Sequence, residues 1–216
     1  MKMKETLFMG KVTSAMTHEI KNVLAIIRES AGLAQDILVA AEESTFPHKE
    51  RFSKIMDKID KQVVRGAEIV STLNSFAHLP DYEVRNEDLN SVIDQMLLLS
   101  SKLSRTNGVN FLIEENSKSV FMEADPLKCR MILYRVLEFL APLIGKGSEI
   151  QLKSLKNETG APLLGLFVKT VTPGQSFIER VQSLPEWDSI IEELRSRNTL
   201  IEAKVELNAF LINFGK

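Results

Sequence analysis

Residues 9–38 read MGKVTSAMTHEIKNVLAIIRESAGLAQDIL, and the spacing of their apolar positions predicts one long helix. Met9, Val12, Met16, Ile20, Val23, Ile27, Ala31, Ala34 and Leu38 recur in steps of three and four, the spacing of a helical seam. At about 100° per residue, His18 lies roughly 200° from Met16 and faces away from that seam. Its own stripe is polar and small: Lys11, Ser14, His18, Asn22, Ala25 and Glu29. A histidine on a solvated helix face is ordinarily surface decoration. Its immediate neighbours, His18-Glu19-Ile20-Lys21-Asn22, give it a second reading.

A second helical segment, Lys49 to Ala77, carries its own seam of Phe52, Ile55, Ile59, Val63, Gly66, Val70, Leu73 and Ala77. It closes on Leu73-Asn74-Ser75-Phe76-Ala77-His78-Leu79. Glu87-Asp88-Leu89-Asn90 follows, then a further helix, then Phe121-Met122-Glu123-Ala124-Asp125-Pro126. The pentapeptide at His18 resembles the phosphoacceptor box of two-component histidine kinases, and this order of segments is similar to that family's passage from its dimerization and phosphotransfer helices into its ATP-binding domain. The resemblance covers roughly residues 8–145 and is poor afterwards. It implies an antiparallel helical hairpin that pairs into a dimeric four-helix bundle, followed by an α/β sandwich.

The departures from that family bear on function. Its active kinases place two asparagines facing nucleotide and magnesium on the helix after Asp-Pro. Aligned on Asp125-Pro126, those positions hold Arg135 and Phe139. Neither side chain supplies the oxygen that magnesium requires in its tight octahedral shell, although an arginine can still pair with a phosphate. The family's Asp-x-Gly-x-Gly turn would follow the strand Leu163 to Lys169. Here Thr170-Val171-Thr172-Pro173-Gly174-Gln175 offers only Gly174 and no aspartate, and Ser176 to Arg197 contains no Gly-x-Gly. A single glycine after proline reads as an ordinary turn. The expectation is the kinase fold without its ATP chemistry and with no cofactor, any Mg2+ being supplied by a partner receiver.

Composition sets the remaining bounds. A chain of 216 residues, 44% hydrophobic, can bury one or two cores. Two domains are expected, a helical hairpin over 1–80 and a degenerate ATP-binding-like α/β domain over 86–216, with the break at Leu79-Pro80-Asp81-Tyr82. Residues 1–80 hold 11 basic against 10 acidic side chains, so no nucleic-acid footprint is expected there, nor in the acidic remainder. The one cysteine, Cys129, lies on an apolar helix and reads as a core thiol of a reducing compartment. No signal sequence or membrane span is seen. Some seventeen residues precede the histidine, which suggests a cytoplasmic relay component receiving its input from another protein rather than a sensor.

The periodicity predicts helices over Met9–Glu43 and Lys49–Ala77, joined by Ser44-Thr45-Phe46-Pro47-His48 with Pro47 at the entry to the second. In the second domain, helices are expected at Asp88–Arg105, Pro126–Leu140, Phe177–Leu184 and Trp187–Arg195. Strands are expected at Val109–Ile113, Ser119–Met122, Glu149–Leu155, Leu163–Lys169, Thr199–Leu207 and Phe210–Phe214. Two helices with one seam each do not close a core, and a second copy of the chain, seams inward and both His18 outward, does.

An exposed imidazole is a competent nucleophile near neutrality. The resemblance implies that Glu19 orients His18 or assists it as a base, a carboxylate being suited to the positive charge that develops on the ring. Asn22, one turn on, corresponds to the residue that in related proteins positions water for hydrolysis of a partner's aspartyl phosphate. Lys11, Ser14, Lys21, Ala25 and Glu29 are the expected partner-binding residues, the small ones leaving room for approach. His48 and His78 read as structural, and no metal-ligand cluster is seen. The reading is a dimeric histidine phosphotransferase of a phosphorelay that exchanges phosphoryl groups with receiver domains. A receiver phosphatase using Glu19 and Asn22, and a non-catalytic pseudokinase scaffold, are the alternatives.

Overall fold

The computed structural model describes residues 2–39, 48–114, 118–170 and 176–214. The expected run of the first helix to Glu43, the joining segment with Pro47, and the turn over 171–175 with Gly174 lie outside the described residues. The chain divides into two compact units, Met1–Ala77 and His78–Lys216.

The first unit is a hairpin of α1 (Lys2–Val39) and α2 (Lys49–Ala77). The first helix begins earlier than Met9 because Phe8 is anchored: its ring meets Phe76 edge-on, centroids 5.5 Å apart at 77°. Contacts pair the start of α1 with the end of α2 and Ala34 and Ile37 with Ile55, so the helices run antiparallel. Midway, a Cβ on Gly66 would lie 3.1 Å from Val23 Cγ1, and the missing side chain lets the two backbones close in at that level.

The buried stripe of α1 is not the seam expected from its hydrophobic residues. Phe8, Val12, Ala15, Met16, Glu19, Val23, Ser30, Ala34 and Ile37 are buried, whereas Leu38 is 53% exposed. On α2, Ile55, Ile69 and Phe76 are buried, while Val63 and Val70 are 52% and 54% exposed. Each expected seam therefore merges two neighbouring stripes. One faces the other helix of the hairpin. The second is apolar and at least partly open: Ile20, Leu24, Ile27, Ala31 and Leu38 on α1, and Met56, Val63 and Val70 on α2, while Ile59 packs against Ala34, Ile37 and Ile55.

The second unit is a mixed α/β sandwich. A short antiparallel ribbon joins β1 (Arg85–Asp88), absent from the sequence reading, to β3 (Phe121–Ala124). The expected helix Asp88–Arg105 is instead two, α3 (Leu89–Leu99) and α4 (Ser101–Asn107), broken at the buried Ser100. Consecutive serines offer the backbone competing hydrogen-bond partners, which weakens a helix interior. The next helix, α5 (Pro126–Ile144), starts on an Asp125 cap that accepts from Lys128 N at 2.9 Å, and continues past the exposed Pro142.

A five-stranded sheet has the order β2-β4-β5-β7-β6, from β2 (Asn110–Ile113), β4 (Glu149–Lys156), β5 (Pro162–Lys169), β6 (Thr199–Lys204) and β7 (Ala209–Phe214). Among the described residues, β2 and β4 pair in parallel and the other neighbours antiparallel. Along β4, Ile150, Leu152 and Ser154 are buried while the alternate residues are half-exposed, the period of a sheet covered on one face. Helices α6 (Phe177–Gln182) and α7 (Pro185–Arg195) complete the unit. Cys129 is buried, and burial pushes its thiol up to about 12, which keeps it protonated as a core residue.

One buried ionic network escaped sequence reading. Arg130, 3% exposed, donates to Glu87 Oε2 at 2.8 Å and to Pro126 O at 3.0 Å, and also bonds Gln95. Arg85 holds the other Glu87 oxygen. Burial lowers the guanidinium's affinity for its proton, and the Glu87 carboxylate opposes that shift. Arg130→Ala leaves Glu87 buried with half its charge compensation, so it should destabilise the unit by about 3 kcal/mol. Urea unfolding should show this as a lower midpoint, and Arg130→Ala with Glu87→Gln should recover part of the loss.

Candidate functional site

The outward face of α1 follows from what its inward face buries. Taking His18 as zero and about 100° per residue, the buried stripe centres near 110° and the open apolar stripe near 210°. His18 therefore stands clear of both. Lys11, Ser14, Asn22, Ala25 and Glu29 are all exposed, as is His18, and lie within about 40° of its line, and Lys21 is exposed about 60° to one side. An imidazole there has solvent before it and a shallow floor from Ser14 and Ala25, one turn before and two after. Thr17 donates to Thr13 O at 2.8 Å, which turns that hydroxyl back onto its own helix.

Glu19 is placed differently from expectation. The resemblance makes it the residue that orients His18 or assists it as a base, and a helical glutamate is ordinarily exposed, yet it is 2% exposed and lies in the α1–α2 interface. Its Oε2 is 3.5 Å from Nη2 of Arg65 on α2, whose side chain is 47% exposed. The one-residue step, about 100°, that separates the two side chains explains the difference: it carries Glu19 toward α2 while His18 looks out. Sequence reading missed Arg65, since a lone cation on the polar side of an amphipathic helix carries no signal until a buried carboxylate is known to face it.

Of the other histidines, His48 is exposed, and His78 is exposed with its Nδ1 2.9 Å from Asp81 Oδ2. Among the described residues no group of three His, Cys, Asp or Glu side chains could hold a metal ion, and no helix is long and apolar enough to cross a membrane.

In the second unit, the two positions aligned with the kinase asparagines are both engaged by α7. Arg135 Nε donates to Glu193 Oε2 at 3.2 Å, and its Nη1 is 3.6 Å from Glu138. Phe139 stacks on Trp187 at 6.2 Å and 26°, and Trp187 in turn packs on Phe210 at 5.2 Å. A cation matched by two carboxylates is a poor receptor for a further anion, and a stacked phenyl ring has no donor or acceptor to offer.

No family model matches the sequence, and no curated protein matches it. Solved structures do. The catalytic domain of histidine kinase ThkA is 17% identical, with a TM-score of 0.44 over 62% of this chain and 97% of that one. Acinetobacter baumannii histidine kinase AdeS is 11% identical, with a TM-score of 0.44 over 92% and 97%. ThkA in complex with response regulator protein TrrA is 17% identical, with a TM-score of 0.42 over 96% of this chain and 61% of that one. What the chain does has to be argued from its own site residues.

Proposed function

We propose that this protein is a dimeric histidine phosphotransferase of a two-component phosphorelay, with residues 1–80 as its dimerization and phosphotransfer hairpin and 86–216 as a degenerate ATP-binding-like domain. The observation that carries the reading is the exposed His18 at the centre of a small, polar stripe, within a sequence that resembles a phosphoacceptor box. His18 would take a phosphoryl group from an aspartate of one receiver domain and return it to another, the metal ion coming with the receiver. The response regulator in the ThkA complex is a partner of the class expected here. The deciding experiment is to mix the purified chain with phosphorylated receivers and follow the label: transfer to His18 supports the relay, and label that never leaves the receivers rejects it.

The side chains at the aligned nucleotide positions support the absence of kinase activity. Arg135 is tied to Glu193 and Phe139 to Trp187. Calorimetry should therefore show no magnesium-dependent ATP binding at micromolar concentration, and radiolabelled ATP should leave His18 unlabelled. Either signal would return the chain to the kinases.

Asn22 favours a second reading, receiver phosphatase. It is exposed one turn beyond His18 on the same face, and an amide orients water without being consumed. If hydrolysis is the main activity, Asn22→Ala should slow dephosphorylation of a cognate receiver about tenfold or more, with His18→Gln mattering less. In a relay the ranking reverses.

A further inference from the structure

Glu19 and Arg65 form a pair whose two members live in different surroundings, and that asymmetry has a use. The carboxylate is 2% exposed, the guanidinium 47%, and they approach to 3.5 Å. A buried carboxylate needs its cation, so the pair holds the Arg65 head at the turn of α1 that carries His18. The register there is fixed, because Gly66 lets α2 approach Val23 closely at the neighbouring position. The exposed part of Arg65 must lie on one side of the hairpin or the other. Viewed from its N-terminus, the open apolar stripe of α2, through Met56, Val63 and Val70, lies clockwise of its buried stripe, and Arg65 lies about 45° the other way. On α1, His18 is likewise on the side of the buried stripe opposite to Leu24 and Leu38. Arg65 and His18 therefore share the outer side of the hairpin.

We propose, resting on the phosphotransfer reading above, that Arg65 is the cation that meets the phosphoryl group on His18, and that Glu19 is the positioning residue holding it there. In the transfer, an unprotonated ring nitrogen of His18 attacks phosphorus. The P–N bond forms as the bond from phosphorus to the receiver's carboxylate oxygen breaks, and that carboxylate leaves as an anion, so no proton, oxidant or reductant is required. The phosphoryl group stays anionic throughout, and a guanidinium offers its oxygens paired, charge-assisted hydrogen bonds. Glu19 thus acts through Arg65 rather than as a base on the ring.

The test uses the full chain in a His48→Gln, His78→Gln background, so that His18 is the only histidine. Transfer from a phosphorylated receiver is timed at saturating receiver for Arg65→Gln, Arg65→Lys, Glu19→Gln and the double variant Glu19→Gln with Arg65→Gln. In parallel, each protein is phosphorylated with phosphoramidate, and the phosphohistidine is titrated by phosphorus NMR. Arg65→Gln should slow transfer roughly ten- to hundredfold, Arg65→Lys less, and the double variant should be as slow as Arg65→Gln. The phosphoryl group should ionise at higher pH once the cation is gone. A double variant restored to the parental rate, or a phosphorus titration identical in every variant, overturns the proposal by showing that Arg65 serves only to neutralise Glu19. If Arg65→Gln fails to fold, the double variant, which buries no unpaired charge, still decides. If no receiver labels the parent protein, the relay reading fails, and the phosphoramidate titration alone decides Arg65.

Discussion

His18→Gln is expected to bring phosphoryl acceptance from any cognate receiver down to background, a loss of a thousandfold or more, while the melting temperature and the oligomeric mass stay where they were. The first half follows from chemistry. Glutamine has no ring nitrogen to form a P–N bond, so no residual route passes through that position. The second half follows from structure. The side chain is exposed, its helix turn is held by Val12, Met16, Glu19 and Val23 on the far side, and a glutamine is as good a helix former as a histidine. Surface substitutions of that kind move stability by no more than about 0.5 kcal/mol. The measurements are acid-sensitive label on the chain, thermal unfolding and light scattering. Loss of acceptance in His78→Gln instead would move the site to the exposed end of α2, where His78 pairs with Asp81.

Much of the fold is written in patterns that survive without tertiary context. The bounds of α2 coincide with the expected Lys49–Ala77, and strands β4, β5 and β7 fall within one residue of their expected positions, because apolar alternation and flanking turns mark them. What escaped is where polar residues point inward. Arg85-Asn86-Glu87-Asp88 has no apolar residue to announce a strand, and β1 exists because Glu87 turns in to meet Arg130, forty-three positions away. The pattern of Thr199–Leu207 predicts one strand, yet pairing with β7 ends at Lys204 and a helical turn follows at Val205–Leu207.

The site shows the same division. The stripe through Lys11, Ser14, His18, Asn22, Ala25 and Glu29 could be read from helical spacing, and all six side chains are exposed. Glu19 could not, because hydrophobicity assigns a glutamate to solvent and only the opposing Arg65 reverses that assignment. The merged seams have a related origin. An apolar arc about 180° wide on α1 fits one periodic pattern by eye. Two stripes inside it serve two different surfaces, and composition does not separate them.

The second of those stripes carries the other large expected effect. Leu24 is 58% exposed, and Val63 and Val70 are more than half exposed; beside them Ile20 and Ile27 are half-buried. A contiguous apolar band along both helices is the geometry by which hairpins pair into four-helix bundles, with each stripe meeting its own copy across a two-fold axis. Burying a leucine or valine fully is worth about 1.5–3 kcal/mol, and the symmetric contact counts each residue twice. The parent protein is therefore expected to be a dimer at micromolar concentration. Leu24→Glu with Val63→Glu places four carboxylates in that interface, where like charges would have to be desolvated side by side. The double variant should run as a monomer in light scattering, with a hairpin that melts at lower temperature. Leu200→Glu supplies the control: that leucine is 54% exposed on β6 of the second unit, and the mass should not change. A parent that is itself a well-folded monomer, or a double variant that stays dimeric, would leave the open stripe without this partner. The effect on chemistry should be separable, because His18 lies about 120° round α1 from Leu24. A monomeric variant that still folds should accept phosphate on His18 more slowly but not lose it, since the ring, Asn22 and Arg65 all belong to one hairpin.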